Sequence, residues 1–314
     1  MFIYFRGEFM KKILTIISIC IISLIFYTYA TSSYEDFEDN NVKINKEVYL
    51  DIMTTDKNLY YIVKNIVKNK HYVDYMFKEN TDQYIYKFTK DSLDNISNKD
   101  LFFYVGADFE PWIEEFLGKL DKGKVRVVNA SRGIKIIPYT KKVKYEDRVL
   151  GNNPYYFLNL NNYKTALANV KNAIEDKDPS NRDFYEKNFY NLLKKINEYG
   201  DQYKELSEKL VDYIFVSEED ELDYLIKYMN LKNIKLKRDE SGTILNEEEL
   251  RTYIDSRKDA KIVFLYSNND ILKENKDILD KYKIKPLNIK IYDSNMKFQD
   301  IVKYNFSMFK ELTK

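Results

Sequence analysis

The 314-residue chain sets 51 Lys+Arg against 50 Asp+Glu for a net charge of +1, so no basic field draws it toward nucleic acid. One histidine (His71) and one cysteine (Cys20) exclude multi-histidine metal sites, cysteine-cluster zinc sites and a disulfide framework. Only 8 glycines argue against a turn-dense β-sandwich, and the 29 tyrosines sit in a Lys-, Asn- and Ile-rich composition typical of an AT-rich genome.

Residues 13–30 form an apolar run behind Met10-Lys11-Lys12. A basic start before an apolar core, residues 10–30, makes an export signal, either cleaved after Ala30 or retained as a membrane anchor. Met10 is then the expected start, with Met1 the alternative. Cys20 reads as an ordinary member of the run, because a lipid-modified cysteine needs a small residue before it and Ile19 stands there. Residues 31–43 (TSSYEDFEDNNVK) read as a flexible acidic tether.

Strands and helices then alternate. Residues 48–53 predict a strand, and Leu59, Ile62, Val63 and Ile66 predict a helix capped by Thr55-Asp56. Residues 101–105 (LFFYV) fit a buried parallel strand, Pro111 starts a helix running toward Leu120, and residues 125–128 make the next strand. Past Pro179, the residues Tyr185, Phe189, Leu192, Ile196, Tyr199, Tyr203, Leu206 and Leu210 alternate spacings of four and three. They predict one helix of about 30 residues, roughly 45 Å long, started by Ser180 with Asp183. Such a stripe suits a coiled-coil dimer or a helix laid on its own domains. The α/β pattern resumes at once, which favours the second and a monomer. Residues 211–216, 262–266 and 287–292 predict further strands, and a helix runs from Tyr224 to Met229. Ile301, Tyr304, Asn305 and Met308 share one face of a terminal helix.

The expected fold class is α/β, with two lobes built on central, mostly parallel sheets, residues 44–178 and 211–314, joined by one long helix over 180–210. Residues 118–125 approach a phosphate-binding loop but end on Val125, which has no hydroxyl for Mg²⁺, and they run from helix to strand. His71 reads as a packed or surface residue. With no nucleophile–base–orienter set in view, no enzyme is expected.

In this order the segments resemble the metal-binding subunit of bacterial ABC importers for zinc, manganese or iron, the TroA-like (cluster A-I) family. Thr54-Thr55 with the following helix, residues 100–106 (DLFFYVG) before Glu110-Pro111-Trp112, and residues 127–134 (VVNASRGI) carry the likeness. Asn153-Pro154, residues 178–181 (DPSN) with Tyr185 and Asn188, and Lys303-Tyr304-Asn305 extend it over residues 45–314. The resemblance implies metal held in a cleft between two lobes and delivered to a membrane permease, outside the cytoplasmic membrane or in the periplasm. It places the four ligand positions on Tyr84, Tyr155, Glu219 (or Glu218, one residue away) and Asp293. The second lobe keeps a Glu/Asp pair, while both first-lobe imidazoles are tyrosines. Residues 141–150 replace the family's His-rich loop.

Three readings follow. An all-oxygen site suits a hard cation such as Mn²⁺ or Fe³⁺ more than Zn²⁺. Alternatively, the fold keeps a weakened metal site in which tyrosines fill imidazole space. A third possibility is a surface protein of adhesin type, acting by contact with a partner and without normal metal binding.

Overall fold

Apolar runs such as Leu101-Phe102-Phe103 become strands covered on both faces, because alternate side chains enter different cores. Leu101 and Phe103 join the main core, while Phe102 packs with Trp112 and Phe116 in a second one. The computed structural model describes residues 49–77, 86–145, 148–256, 261–293 and 296–314, all within one unit spanning 48–314. The export segment, Cys20, the acidic tether and Tyr84 lie outside the described residues.

Strand β1 (Asp51–Thr54) leads into helix α1 (Lys57–Val67), then β2 (Tyr72–Tyr75), α2 (Lys90–Ser97), β3 (Leu101–Tyr104), α3 (Ile113–Lys119) and β4 (Arg126–Asn129). These four strands form a parallel sheet in the order β2-β1-β3-β4. An antiparallel hairpin, β5 (Pro138–Tyr145) and β6 (Arg148–Asn152), and helix α4 (Leu160–Lys177) follow. Helix α5 (Arg182–Lys209) runs for 28 residues. Beyond it lie β7 (Tyr213–Ser217), α6 (Asp223–Tyr228), β8 (Asn233–Lys235), α7 (Glu247–Ser256), β9 (Lys261–Tyr266), α8 (Asn269–Glu274), α9 (Lys276–Tyr282), β10 (Lys285–Asn288) and α10 (Phe298–Glu311). The second sheet is also parallel, in the order β10-β9-β7-β8. Two parallel sheets joined by one long helix is the expected α/β architecture. No helix of the described residues is long and apolar enough to cross a membrane.

The stripe on α5 is covered by the chain itself: Tyr185, Leu192, Ile196, Tyr203 and Leu206 are buried in the main core. Asn188 donates to the Ile66 carbonyl of α1 at 2.8 Å, and the Tyr203 hydroxyl donates to Val302 of α10 at 2.9 Å. The helix thus ties the first sheet's elements to the second's. Its start differs from expectation. Pro179–Asn181 first makes a 3₁₀ turn, and the cap is Asn181, not Ser180; the Asn181 side chain donates to Asp178 at 2.7 Å and makes no capping bond to the helix. Helix α3 likewise starts two residues past Pro111, at Ile113, because residues 111 and 112 form a turn.

His71 is buried at the amino end of β2, away from the carboxyl ends of the strands. Its Nδ1 accepts the Leu50 N–H at 3.3 Å, and its Nε2 lies 2.6 Å from the Tyr185 hydroxyl, which donates to Asp178 at 2.6 Å. Burial depresses its pKa against the pull of Asp178, so the ring is held neutral as packing.

Candidate functional site

Residues just past the carboxyl ends of both sheets meet each other, the usual place for a ligand in open parallel sheets. Asp56 follows β1 and caps α1, accepting the Asn58 and Leu59 N–H groups at 3.1 and 2.8 Å. Glu110, past β3, accepts the Val105 and Gly106 N–H groups at 2.8 and 3.0 Å and the Thr55 hydroxyl. Burial raises Asp56 to about 6 and Glu110 to about 7, although these hydrogen bonds pull the other way.

The loop holding Glu110 depends on Gly106, which has φ +78° and faces Asn129 and Ser131 so closely that an added Cβ would lie 2.3 Å from Asn129 Oδ1. Gly106→Ala is expected to cost about 2–4 kcal/mol, from left-handed strain plus the clash. Gly133→Ala, at φ +80° in open space, should cost only about 1–2 kcal/mol. Denaturant melts of the two variants check this, and equal losses would refute the clash.

Glu218-Glu219-Asp220 follow the apolar strand β7. Glu218 takes the Lys141 ammonium at 3.1 Å, Arg238 Nε at 3.1 Å and Asn275 Nδ2 at 2.7 Å. Burial works against its ionisation, but these partners outweigh it and hold the carboxyl below the usual range. Among the described residues the hydrogen-bond donors to Glu219 are neutral, the Ser267 N–H at 2.7 Å and the Ser267 hydroxyl, and burial outweighs them and pushes its pKa up. Asp220 anchors the hairpin. It accepts Thr140 N–H at 2.7 Å, Thr140 hydroxyl at 2.6 Å and Lys141 N–H at 3.0 Å, and it pairs with Lys235.

Aromatic side chains close the space between these edges. The Tyr292 hydroxyl, beyond β10, donates to Asp56. The Phe109 ring stands 6.3 Å from that of Tyr155 and 6.1 Å from that of Tyr292. These residues border a cavity of about 10 Å³, near the threshold for a single water.

Of the four ligand positions, Tyr84 lies outside the described residues. Tyr155 is half-buried on this cavity, its N–H donating to Asn153 Oδ1 at 3.0 Å. Glu219 sits at the end of β7 and is bonded across to Ser267 at the end of β9. Asp293 lies past β10, with the Lys290 ammonium 2.9 Å from its Oδ2. Among the described residues, no three His, Cys, Asp and Glu side chains form a group able to hold a metal ion. Composition did not mark Asp56, Tyr292 or Lys290 as site residues. Their signal is position alone, each within a few residues of a strand's carboxyl end.

A family model described as the zinc-uptake complex component A, periplasmic (ZnuA), matches residues 52–300. The chain belongs to this family. It is 24% identical over 225 residues to the high-affinity zinc uptake system protein ZnuA of Bacillus subtilis (strain 168), covering 68% of this chain and 70% of that protein. It is 23% identical over 269 residues to the manganese ABC transporter substrate-binding lipoprotein PsaA of Streptococcus pneumoniae, 83% of each. The crystal structure of the metal-dependent lipoprotein YcdH from Bacillus subtilis shares the fold, with a TM-score of 0.65 and 22% identity over 83% of this chain and 98% of its own.

Proposed function

We propose that this protein is the extracytoplasmic substrate-binding component of an ABC-type metal importer, taking a cation between its lobes and docking both on a membrane permease. Membership of the ZnuA family supports the reading, and the observation that carries it is the pair Glu219 and Asp293 past the carboxyl ends of strands in one sheet. The lobes are residues 44–178 and 211–314, with 180–210 as the linking helix. The chain works as a monomer without enzymatic or nucleic-acid chemistry, exported and held near the membrane by residues 10–30 or freed by their cleavage.

The ligands are Tyr84, Tyr155, Glu219 and Asp293. Glu219 is preferred to Glu218, because two cationic side chains already neutralise Glu218. An all-oxygen set favours Mn²⁺ over Zn²⁺, and Fe³⁺ more strongly if the phenols ionise. Thermal melts with each ion test this. A ligand at a hundred times its Kd stabilises the native state by about 2.7 kcal/mol, a rise of roughly 5–10 °C. Asp293→Ala should abolish the rise. Tyr155→Phe keeps the ring beside Phe109 and loses only the oxygen, so it should lower the response if the phenol is a ligand. A flat response to all three ions would overturn the metal reading. It would instead favour the surface-contact protein.

A further inference from the structure

We propose that Lys290 is a tethered cation that competes with the incoming ion for Asp293, so that the cleft takes up metal only by displacing the protein's own ammonium. The inference rests on the metal-binding reading above. Lys290 Nζ lies 2.9 Å from Asp293 Oδ2 and 3.2 Å from Met296 Sδ, and 5.3 Å above the Tyr304 ring. Its backbone is clamped as well: Lys290 N–H donates to Asn305 Oδ1 at 2.8 Å, and Asn305 Nδ2 donates to the Lys290 carbonyl at 2.8 Å. Asn305 is 1% exposed, so the terminal helix fixes where this lysine starts, and the sulfur and ring fix where it ends.

The two carboxylates of the second lobe are thereby unequal. Among the described residues Glu219 is hydrogen-bonded by neutral serine groups, with the Lys141 ammonium paired to the neighbouring Glu218 and acting on Glu219 only at longer range. Asp293 is already paired with the Lys290 ammonium, and a metal ion at coordination distance from it would face that positive charge at close range. Lys290 and Asp293 are 31% and 26% exposed, so water weakens their pairing and an ion of higher charge can break it. Ion uptake then begins at Glu219 and is completed when the lysine swings off Asp293. The arrangement lowers affinity for any cation and penalises singly charged ions most.

The test titrates Mn²⁺ and Zn²⁺ into the full chain and into Lys290→Met and Lys290→Arg, by calorimetry, with ion-free melts to confirm that each variant folds. Lys290→Met, similar in length and without charge, should tighten the Kd about tenfold. Lys290→Arg, which keeps a cation on Asp293, should stay near wild type. A second measurement uses an amine-specific reagent and mass spectrometry, and Lys290 should become several-fold more reactive when Mn²⁺ saturates the wild type. Binding by the wild type with no gain in folded Lys290→Met, or with unchanged Lys290 reactivity, would overturn the competitor role and leave the importer reading standing. Absence of binding in all three proteins would overturn both. Binding only in Lys290→Met would support the competitor in its strongest form.

Discussion

Glu110→Ala should lower the unfolding free energy by about 3–5 kcal/mol and the midpoint by roughly 6–15 °C. The carboxyl accepts from Val105, Gly106 and Thr55 in a site 1% exposed, so alanine strands three buried donors at once. The same residue sets a pH dependence. A group whose folded pKa lies above its unfolded value binds its proton more tightly when folded. Glu110, raised from 4.5 to about 7, therefore contributes stability that is complete below its unfolded pKa and lost as pH rises through its folded one. Asp56, raised from 3.8 to about 6, acts with the same sign. Glu218 and Asp220, held below their usual range, act oppositely and lose stability as pH falls through the acid range. Comparing wild type with Glu110→Gln isolates the first effect, because the amide does not ionise. The stability gap between them should narrow by on the order of 3 kcal/mol between pH 4.5 and pH 8. A gap independent of pH would refute ionisation of Glu110 as its source.

The second large effect is expected at Asp220. This side chain is 2% exposed, and it receives two backbone N–H groups and a hydroxyl from the hairpin. Asp220→Ala should cost about 2–4 kcal/mol, since those donors lose an ionised acceptor. Lys235 keeps Asp223 at 2.6 Å, which limits the loss. The more telling readout is local: residues 138–152 should detach from the second lobe, and trypsin should cut at Lys141, Lys142 or Lys144 at least tenfold faster in the native state. Thr140→Val, which removes the hydroxyl and keeps both backbone bonds, should show a smaller increase. Unchanged cleavage in Asp220→Ala would mean that the hairpin is held by other contacts.

Much of the fold was legible because parallel strands buried on both faces read as unbroken apolar runs, as at Phe215-Val216 and Phe264-Leu265. The heptad stripe on α5 also has a strong period, and the capping of α1 by Asp56 follows from a short acid before a helical pattern. Other elements carried weaker signals. Strand β2 has the residues Tyr-Val-Asp-Tyr on a sheet edge, half-exposed, so its apolar signal is faint. Helix α4 reads as polar in one dimension, although Tyr163, Leu167, Val170 and Ile174 bury one face. The β5–β6 hairpin is rich in lysine and held by Asp220, a long-range contact that local sequence does not encode. Glu219 and Asp293 are proposed as ligands from resemblance to a family pattern, not from composition or spacing. The pairing of Asp293 with Lys290 and the bond from Tyr292 to Asp56 depend on how loops from different strands converge, and no spacing rule announces that.

The placement of His71 carries a practical consequence. The chain's only imidazole is buried between Leu50, Tyr185 and Asp178, at the strand ends away from the cleft. Histidine-directed acylation, or the single imidazole resonance in an NMR spectrum, therefore reports how firmly the long helix is seated on the first sheet. Loading the cleft should leave that signal unmoved, and its change would reveal the strut lifting away.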